Sequence, residues 1–486
     1  MQSELDSLES QKVFSKVSLP PGRRAIGTKW VFALKRNING EVERFKARLV
    51  VQGFRQVPGV DYFESYSPTT KMETVKILLT IVACEDLHCE ILDAKNAYTQ
   101  ADLLETIHFE DGDGVWRLHK ALYGLVQAGA AWYGTLDAYL DKIEVGHVDS
   151  DQYLYVGWRE RQRLLVVVYV DDMVVAGGRE VVKWFITEMK KRFALDERGE
   201  LGNGKGLLLG MEVKRDRKAR TITLSQRVAV GKLLETYGME EAKEVSTPLQ
   251  PGLTLLPHDS DPTTSPYRKL VGSLGYLVHT RPEISYAVGL LGRFSANPSD
   301  EHFNVAKHVL RYLRGTQTYG LVLGSSSSSS PIVEAWADSD YAGDKADRKS
   351  TSGYLVKVFG STVVCASKKQ KAVSTSTLHA ETVALASLAR SVVWVRELHQ
   401  SLGYTTPATT VHSDNQGTIS TIFSGARTEA TKHIAVNHLY TREQVQSEVI
   451  LLEYIPSSEN TADVLTKAIS RESIVKHRES LGVREG

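Results

Sequence analysis

The sequence predicts a multidomain protein with an α+β N-terminal part, a mostly helical middle region and a C-terminal α/β part. Its 486 residues exceed what one ordinary core accommodates. Strand-like and helix-like segments alternate without a break until a linker rich in Pro, Thr, Asp and Ser at residues 248–266. Six consecutive serines at 325–330 predict a second linker, because they offer nothing to bury. With 42% hydrophobic and 24% charged residues, the composition excludes disordered and fibrous proteins.

A basic β-hairpin is predicted near the N-terminus. Residues 29–35 and 43–51 are strand-like and flank Asn39-Gly40, a strong turn signal. Residues 11–56 carry eleven basic side chains and two acidic ones, a local net charge of +9 in a chain whose formal net charge is +1. This surface is expected to bind an anion. The alternative is a solvated edge strand that lysines protect from pairing with another chain.

The other elements follow from apolar spacing and from turn and linker signals. Before the serine run they are helices at 74–84, 180–193, 228–237 and most of 267–313, with strands at 87–92, 164–170, 173–176 and 221–224; after it they are a strand at 332–339, a hairpin at 353–365, a helix at 376–402, a strand at 409–414 and helices near 437 and 461.

Two adjacent aspartates, Asp171 and Asp172, interrupt the apolar hairpin formed by residues 164–176. Burying ionised carboxylates without a counter-charge is expensive, so a cation should meet them. The alternative is a surface turn whose acids face water.

Asp93 ends a neighbouring predicted strand, and three carboxylates on adjoining strands could hold two divalent ions roughly 3.5–4 Å apart. Lys46 and Arg48 are two residues apart on a strand, so they project from one face and could clamp a triphosphate.

These residues belong to motifs that resemble the polymerase of copia-type LTR retrotransposons. Tyr169-Val170-Asp171-Asp172 in a hydrophobic hairpin looks like the active-site signature of reverse transcriptases. The resemblance runs almost from residue 4 to residue 470, and its further motifs in the first half are FKARLV at 45–50, SP at 67–68, LDAKNAY at 92–98 and KALYGL at 120–125.

The resemblance implies roles for individual side chains. Asp93, Asp171 and Asp172 are expected to be the catalytic ligands of two Mg²⁺ ions, with Mn²⁺ as a substitute. The aromatic ring of Tyr98 is expected to crowd the 2′-hydroxyl of a ribonucleotide, and Gln127 is expected to line the nucleotide pocket. The full set of expected substrate-binding residues is Lys46, Arg48, Tyr98, Gln127 and Tyr169.

A second acidic set lies beyond the serine run. Asp338 and Asp340 are two apart on a predicted strand, so they share a face. Glu381 shares a helical stripe with apolar residues at offsets of 4, 7, 11 and 14, which aims this carboxylate at the sheet. Taken alone, Asp414 could be a helix N-cap and Asp463 a first-turn acid.

Together these acids resemble ribonuclease H, in which four carboxylates hold two Mg²⁺ ions. The resemblance implies that Asp338, Glu381, Asp414 and Asp463 are the catalytic ligands, with Asp340 as the rival for the first position. His433 or His438 is expected either to assist product release or to be an ordinary surface side chain. The copia-type motifs that carry this resemblance are DSDYAGD at 338–344, STSGY at 350–354, AE at 380–381, DNQ at 414–416, TKHI at 431–434 and AD at 462–463.

The implied fold is an α+β polymerase with fingers, palm and a helical thumb-like region, followed by an α/β ribonuclease H-like domain. Its boundaries are fingers and palm at 1–247, thumb or connection at 248–324, linker at 325–331 and ribonuclease H at 332–486. The implied enzyme copies an RNA template into DNA and cuts RNA out of the RNA–DNA hybrid, so its partners are template, primer strand, hybrid and deoxynucleoside triphosphates. Phosphate contacts from the basic hairpin and from Lys368, Lys369 and Lys371 should make binding salt-dependent.

Two rival functions stay open. A catalytically silent remnant that binds nucleic acid is favoured by Val126 and Ala130, which stand where the family has basic residues, and by a shortened loop at 111–114. A nuclease with an inactive polymerase scaffold is the other rival.

The expected location is cytoplasmic, in a retrotransposon particle, or nuclear. The first ten residues carry acids and serines rather than a basic patch followed by an apolar stretch. No apolar run reaches the roughly 18–20 residues of a membrane span. Three cysteines exclude a disulfide framework and a four-cysteine zinc site, and they indicate a reducing compartment.

Overall fold

The structure, a computed structural model, describes residues 1–36, 42–67, 70–203, 207–325, 332–424 and 435–486. It divides into two compact units, the first made of Met1–Val75 and Leu87–Leu209 and the second of Lys76–Asp86 and Gly210–Gly486. The finer division at residues 247, 324 and 331 stays a prediction. The Asn39-Gly40 turn, most of the serine run and His433 lie outside the described residues. In the part of the chain that is described, no helix has both the length and the apolar character needed to cross a membrane.

The first unit is built mainly of antiparallel strands. Its elements are α1 (Gln2–Ser10), β1 (Phe14–Lys16), β2 (Ala25–Arg36), β3 (Val42–Val51), the start of α2 (Met72–Cys84), β4 (His88–Ala94), β5 (His108–Asp111), β6 (Gly114–Leu118), α3 (Ala128–Lys142), β7 (Val145–Val148), β8 (Asp151–Arg159), β9 (Gln162–Tyr169), β10 (Asp172–Gly177), α4 (Arg179–Arg192), β11 (Leu195–Glu200) and β12 (Leu207–Leu208).

One sheet of this unit has the strand order β11-β4-β10-β9-β8-β7. Residues 164–168 of β9 are all buried, which is the pattern of a strand covered on both faces rather than on one. Trp132 and Leu136 of α3 and Phe185 and Met189 of α4 lie in one apolar core with the strand residues. The predicted apolar hairpin is confirmed as β9 and β10, which are joined by a two-residue turn.

The other sheet has the strand order β1-β6-β5-β2-β3, and the predicted basic hairpin is confirmed as β2 and β3. Lys46 lies opposite Ala33 and Arg48 opposite Val31, so the two basic side chains share a face as expected. The opposite face of this ribbon carries exposed apolar side chains, among them Phe32 and Phe45.

The second unit contains the rest of the chain. Its elements after the end of α2 are β13 (Met211–Asp216), β14 (Thr221–Ser225), α5 (Arg227–Thr236), α6 (Tyr267–Leu277), α7 (Ser285–Gly292), α8 (Asp300–Gly315), β15 (Tyr319–Leu323), β16 (Val333–Asp340), β17 (Thr351–Val358), β18 (Ser361–Lys369), α9 (Thr377–Ser401), β19 (Thr409–Ser413), α10 (Gln416–Ser424), α11 (Ala435–Gln446), β20 (Ile450–Tyr454), α12 (Arg471–Ser480) and β21 (Val483–Glu485).

The helical middle region is confirmed as α6, α7 and α8, which share one apolar core with α5. An ion pair between Arg281 and Glu283 (2.7 Å) is buried beside them, and Arg281 also donates to the carbonyl oxygen of Thr316 (2.9 Å). The neighbouring strand β15 pairs with β14 on one side and with the C-terminal strand β21 on the other. The sequence pattern did not predict β21, because three residues carry too little periodicity.

The C-terminal sheet has the strand order β18-β17-β16-β19-β20. β16, β17 and β18 are antiparallel neighbours, whereas β19 runs parallel to β16 and to β20. Helix α9 contacts β16 and β17, and the predicted stripe of Glu381, Leu385, Leu388, Val392 and Val395 is confirmed as buried. The helix expected near residue 461 is a single short 3₁₀ segment, Thr461–Leu465.

Candidate functional site

The acidic hairpin is held by backbone hydrogen bonds and by one tryptophan. Asp172 pairs with Tyr169 across the turn and with Asp93 on β4. Val170 has a φ of 55°, a left-handed conformation that costs a β-branched residue about 1–3 kcal/mol. The indole N–H of Trp132 donates to the Val170 carbonyl (2.9 Å), which helps to hold the turn. The Ala94 N–H donates to the Asp171 carbonyl (2.7 Å), so the end of β4 fixes the position of the turn that carries the acids.

Arg198 supplies the cation that was expected to meet the acids of the hairpin. Its guanidinium group contacts Asp93 Oδ2 through Nη2 and Asp172 Oδ1 through Nη1 (3.2 Å). In the β11–β4 pairing, Glu197 and Gly199 flank an extra residue, Arg198, which makes this position a β-bulge. Sequence reasoning missed Arg198 because periodicity does not reveal where a bulge re-aims a side chain.

Asp171 faces a different set of side chains, centred on Tyr123. Burial first and the Asp171 carboxylate second raise the pKa of both Tyr98 and Tyr123. The rings of Tyr98 and Tyr123 meet edge to face with centroids 5.2 Å apart, and the guanidinium carbon of Arg48 lies 4.6 Å from the Tyr123 centroid. Asp171, Tyr98 and Arg48 are therefore neighbours. Tyr123 lies in the motif at 120–125, but sequence reasoning gave it no role.

Lys46 and Arg48 share an acidic neighbour that the sequence did not single out. Burial raises the pKa of Glu4 on α1, while the positive charges of Lys46 and Arg48 oppose that rise. Gln127 is buried, and its amide accepts from Gln56 Nε2 (2.9 Å) and donates to the Asp61 carbonyl (3.1 Å). These contacts give Gln127 a structural role, and its part in nucleotide binding stays a prediction.

The second acidic set converges. Carboxylate oxygens of Asp338, Asp414 and Asp463 lie within 4.8 Å of one another. Asp338 lies within β16, Asp414 follows β19, and Asp463 lies in the 3₁₀ segment. Asn460 ties these elements together, because its amide donates to the Ala337 carbonyl (2.9 Å) and to Asp414 Oδ1 (3.4 Å). Among the described residues, this is the one group of three metal-binding side chains whose ligand atoms lie this close together. Asp93, Asp171 and Asp172 do not form such a group.

Glu381 approaches this cluster from α9. Its Oε1 accepts from the backbone N–H of Ser339 (3.2 Å) and from the Ser339 hydroxyl (2.8 Å). Burial, followed by the negative charge of Asp338, raises the pKa of Glu381 well above its ordinary value. Burial and the charge of Asp463 raise the pKa of Asp338 to about 7. Asp340 is not a member of the cluster, so the geometry favours Asp338 over its rival.

This donor set fits a hard divalent cation. Glu381 Oε2 and Asp463 Oδ1 are buried and have no hydrogen-bond partner among the described residues. An all-oxygen, carboxylate-rich set is what Mg²⁺ and Mn²⁺ prefer. The cluster therefore has both the ligand type and the unsatisfied oxygens that a metal would complete.

Lys467 lies beside the same acids. Its Nζ is 3.0 Å from Asp463 Oδ2. Burial lowers the pKa of Lys467, but the carboxylates of Asp338 and Asp463 outweigh burial and raise it. Sequence reasoning missed Lys467, because its surroundings depend on the tertiary convergence of Asp338 and Asp463.

The structure also bears on the expected roles of Asp414 as a helix N-cap and of Lys369 as a phosphate contact. Helix α10 is capped by Asn415 Oδ1, which accepts from the Thr418 N–H (2.8 Å), so the alternative role of Asp414 as N-cap is wrong. Lys369 is engaged by Asp344 (2.5 Å) and Asp347 (2.9 Å), which reduces its availability to a phosphate.

His438 and Tyr169 have contrasting surroundings. His438 is buried, and its Nε2 hydrogen-bonds the Thr421 carbonyl (3.2 Å). Tyr169 is 38% exposed at the end of β9, so its ring is accessible to a substrate.

The raised pKa of Asp338 predicts how stability changes with pH in metal-free buffer. Because the folded-state pKa of about 7 exceeds the ordinary value of 3.8, the folded state retains a proton that the unfolded state releases. The contribution of Asp338 to stability should therefore fall as pH rises from about 4 to about 7. Scanning calorimetry with a chelator should show that Asp338→Asn reduces this fall in thermal midpoint by roughly 2–8 °C.

The exposed carboxylate of Asp259 provides the control, and Asp259→Asn should leave the pH dependence unchanged. An identical pH dependence in the parent chain and Asp338→Asn would contradict the assignment of the proton to this cluster.

Comparison with known proteins agrees with the fold and the motifs. The sequence profile of the reverse transcriptase (RNA-dependent DNA polymerase) family matches residues 11–251. The chain is 36% identical over 504 residues to the retrovirus-related Pol polyprotein from transposon TNT 1-94 of Nicotiana tabacum, with 99% of this chain and 37% of that protein covered. It is 34% identical over 497 residues to the corresponding polyprotein from transposon RE1 of Arabidopsis thaliana, with 99% of this chain and 33% of that protein covered. The chain thus spans about a third of the length of these curated relatives.

Solved structures with the same fold include those of the foamy viral protease-reverse transcriptase. The complex with dsDNA has a TM-score of 0.53 at 12% identity, over 94% of this chain and 82% of that chain. The complex with RNA/DNA hybrid has a TM-score of 0.52 at 12% identity, over 94% of this chain and 53% of that chain. The predicted fold class, an α+β polymerase followed by an α/β ribonuclease H-like domain, is confirmed. The chain belongs to the reverse transcriptase family, among the copia-type retrovirus-related Pol polyproteins of transposons.

Proposed function

We propose that this chain is an RNA-directed DNA polymerase that also hydrolyses the RNA strand of an RNA–DNA hybrid. The observation that carries the proposal is the convergence of carboxylates from β16, β19 and the 3₁₀ segment, with Glu381 beside them, in a chain of the reverse transcriptase family. The acidic hairpin of β9 and β10, which pairs with β4 in the same chain, supports the polymerase activity.

In the polymerase reaction, Asp93, Asp171 and Asp172 would hold two Mg²⁺ or Mn²⁺ ions. Such ions would supply activation of the primer 3′-hydroxyl and charge stabilisation of the departing pyrophosphate. Arg48 presents a planar fork and Lys46 a point charge to the triphosphate. The support for this arrangement is that Arg48, Tyr98 and Asp171 surround Tyr123.

In this proposal, the ring of Tyr98 crowds the 2′-hydroxyl and thereby excludes ribonucleotides. The ring is half-buried and packs against Tyr123. Tyr98→Val should raise the use of ribonucleotides relative to deoxynucleotides by about 10- to 200-fold, the range that a changed pocket contact provides. The measurement is kcat/KM for single-nucleotide addition with each substrate.

Tyr139→Phe is the matched control, since Tyr139 packs against Phe193 and donates to the Glu188 carbonyl (2.9 Å) elsewhere in the same unit. An unchanged discrimination ratio in Tyr98→Val would overturn this role.

In the hydrolytic reaction, Asp338, Glu381, Asp414 and Asp463 would hold the two ions at the second site. Ser339 orients the Glu381 carboxylate by two hydrogen bonds, and Thr466 donates its hydroxyl to Asp338. Lys467 partly neutralises Asp338, Asp414 and Asp463 in the metal-free protein.

The nucleic-acid partners proposed are an RNA template, a DNA primer strand and the hybrid between them. The foamy viral structures that share this fold contain dsDNA in one case and RNA/DNA hybrid in the other, which supports these partners. The basic residues between positions 11 and 56 would contact phosphates, so affinity should fall as salt rises.

A second candidate is a hybrid nuclease whose polymerase half acts as a scaffold. The specific observation in its favour is that Arg198 contacts Asp93 and Asp172, whereas carboxylate oxygens of Asp338, Asp414 and Asp463 lie within 4.8 Å of one another.

One preparation of the full chain tests both candidates and the remnant. Primer extension on an RNA template and cleavage of a labelled hybrid should both occur with Mg²⁺. Cleavage without extension would support the nuclease alone. Hybrid binding with neither reaction would support the silent remnant and contradict the proposal.

A further inference from the structure

Arg198 contacts two of the three acids that the proposed polymerase reaction needs. Its two terminal nitrogens contact one oxygen each of Asp93 and Asp172, which lie directly opposite one another on β4 and β10. A guanidinium group suits this geometry, because its planar fork can bind two acceptors at once. The guanidinium group of Arg198 thus lies where a cation is expected, between these two acids.

The local backbone directs Arg198 to this position. Asp196 lies opposite Asp93 in the β11–β4 pairing, and the bulge then inserts Arg198 between Glu197 and Gly199. Gly199 has a φ of 94°, a conformation that glycine adopts at little cost and that favours such a bulge. The contact with the acids is therefore built into the β11 backbone.

Water can reach the contact between Arg198 and the two aspartates. The Arg198 side chain is 30% exposed, and the side chains of Asp93 and Asp172 are 25% and 21% exposed. Ion pairs that water reaches are weak, so an arriving divalent ion with a higher charge density can displace the guanidinium group. A fully buried pair would instead block the site.

We propose that Arg198 is a positioning residue that holds Asp93 and Asp172 together in the metal-free protein and competes with the divalent ion for them. This inference rests on the proposed function, because it takes Asp93 and Asp172 as metal ligands. Arg198 thereby sets the concentration of Mg²⁺ or Mn²⁺ at which the polymerase site fills. It does not touch the reacting atoms.

The test is a Mn²⁺ titration of the full chain, followed by the electron paramagnetic resonance signal of unbound Mn²⁺. The chain carries Asp338→Asn and Glu381→Gln, so that the C-terminal cluster contributes little binding. Arg198→Gln should lower the Mn²⁺ concentration for half-saturation by up to about 5-fold, the factor expected for removing a competing, partly exposed ion pair. Arg198→Lys should shift it in the same direction by a smaller factor, because a single ammonium group cannot fork between two carboxylates.

Arg179→Gln is the matched control, since Arg179 is an exposed arginine at the start of α4. It should leave the titration unchanged. Asp93→Asn tests the underlying metal site and should remove the binding that Arg198→Gln strengthens. Thermal melts of each variant establish that it is folded.

The outcomes separate this inference from the proposed function. Loss of Mn²⁺ binding in Asp93→Asn, with equal or weaker binding in Arg198→Gln, would overturn the role of Arg198 alone. Unchanged binding in Asp93→Asn would overturn the metal site and the inference with it. Should Arg198→Gln fail to fold, unchanged affinity in Arg198→Lys would overturn the inference.

Discussion

Asp171→Asn is expected to lower primer extension on an RNA template by about 10³-fold or more, because it removes one of the three proposed metal ligands of the reaction centre. The backbone should survive the change. The turn is held through the carbonyl groups of Val170 and Asp171, which accept from Trp132 and Ala94 and which the substitution leaves in place. Single-nucleotide addition under pre-steady-state conditions measures the loss in the chemical step.

Two comparisons make this result specific. Cleavage of a labelled RNA–DNA hybrid by the same variant should match that of the parent chain, because the acids near Glu381 are untouched. Asp141→Asn, at an exposed position near the end of α3, should leave extension unchanged. Extension by Asp171→Asn within tenfold of the parent rate would contradict the assignment of this aspartate.

Glu381→Gln is expected to lower hybrid cleavage by about 10³-fold or more while primer extension persists. The amide keeps the shape of the carboxylate but binds a divalent ion poorly. Stability should stay equal or rise, because burial and Asp338 already oppose the ionised form of Glu381, as its raised pKa records. Gel-resolved cleavage of a labelled RNA strand, combined with a thermal melt, measures both effects.

Glu397→Gln lies on the same helix at an exposed position and is the matched control. It should change neither cleavage nor the thermal midpoint appreciably. Hybrid cleavage by Glu381→Gln at the parent rate would contradict the proposed ligand set. A thermal midpoint well below that of the parent chain would show instead that Glu381 is a structural residue.

Local patterns predicted the parts of the fold that depend on neighbouring residues. The apolar run that precedes Asp171 and Asp172 predicted β9 and its turn, and the stripe below Glu381 predicted the buried face of α9. Both predictions rest on the strict side-chain periods of strands and helices. The short strand β21 was not predicted, because it forms by pairing with β15, which is distant in the sequence.

The acids of the site were predictable from the sequence, as were Lys46 and Arg48, but Arg198 and Lys467 were not. The aspartates lie in motifs that resemble a known family, so they could be named before their positions were seen. Arg198 and Lys467 were missed because their roles depend on tertiary contacts, one through a β-bulge and the other through the convergence of Asp338 and Asp463. Glu4 was missed for the same reason, since it meets Lys46 and Arg48 from α1.

The most direct test of two divalent-ion centres in one chain is a crystal of the protein with a primer–template duplex and Mn²⁺, measured at the manganese absorption edge. Anomalous peaks are expected among the carboxylates of Asp93, Asp171 and Asp172, with Arg198 withdrawn, and among those of Asp338, Glu381, Asp414 and Asp463. A bound duplex with no anomalous peak at either set of acids would contradict the account.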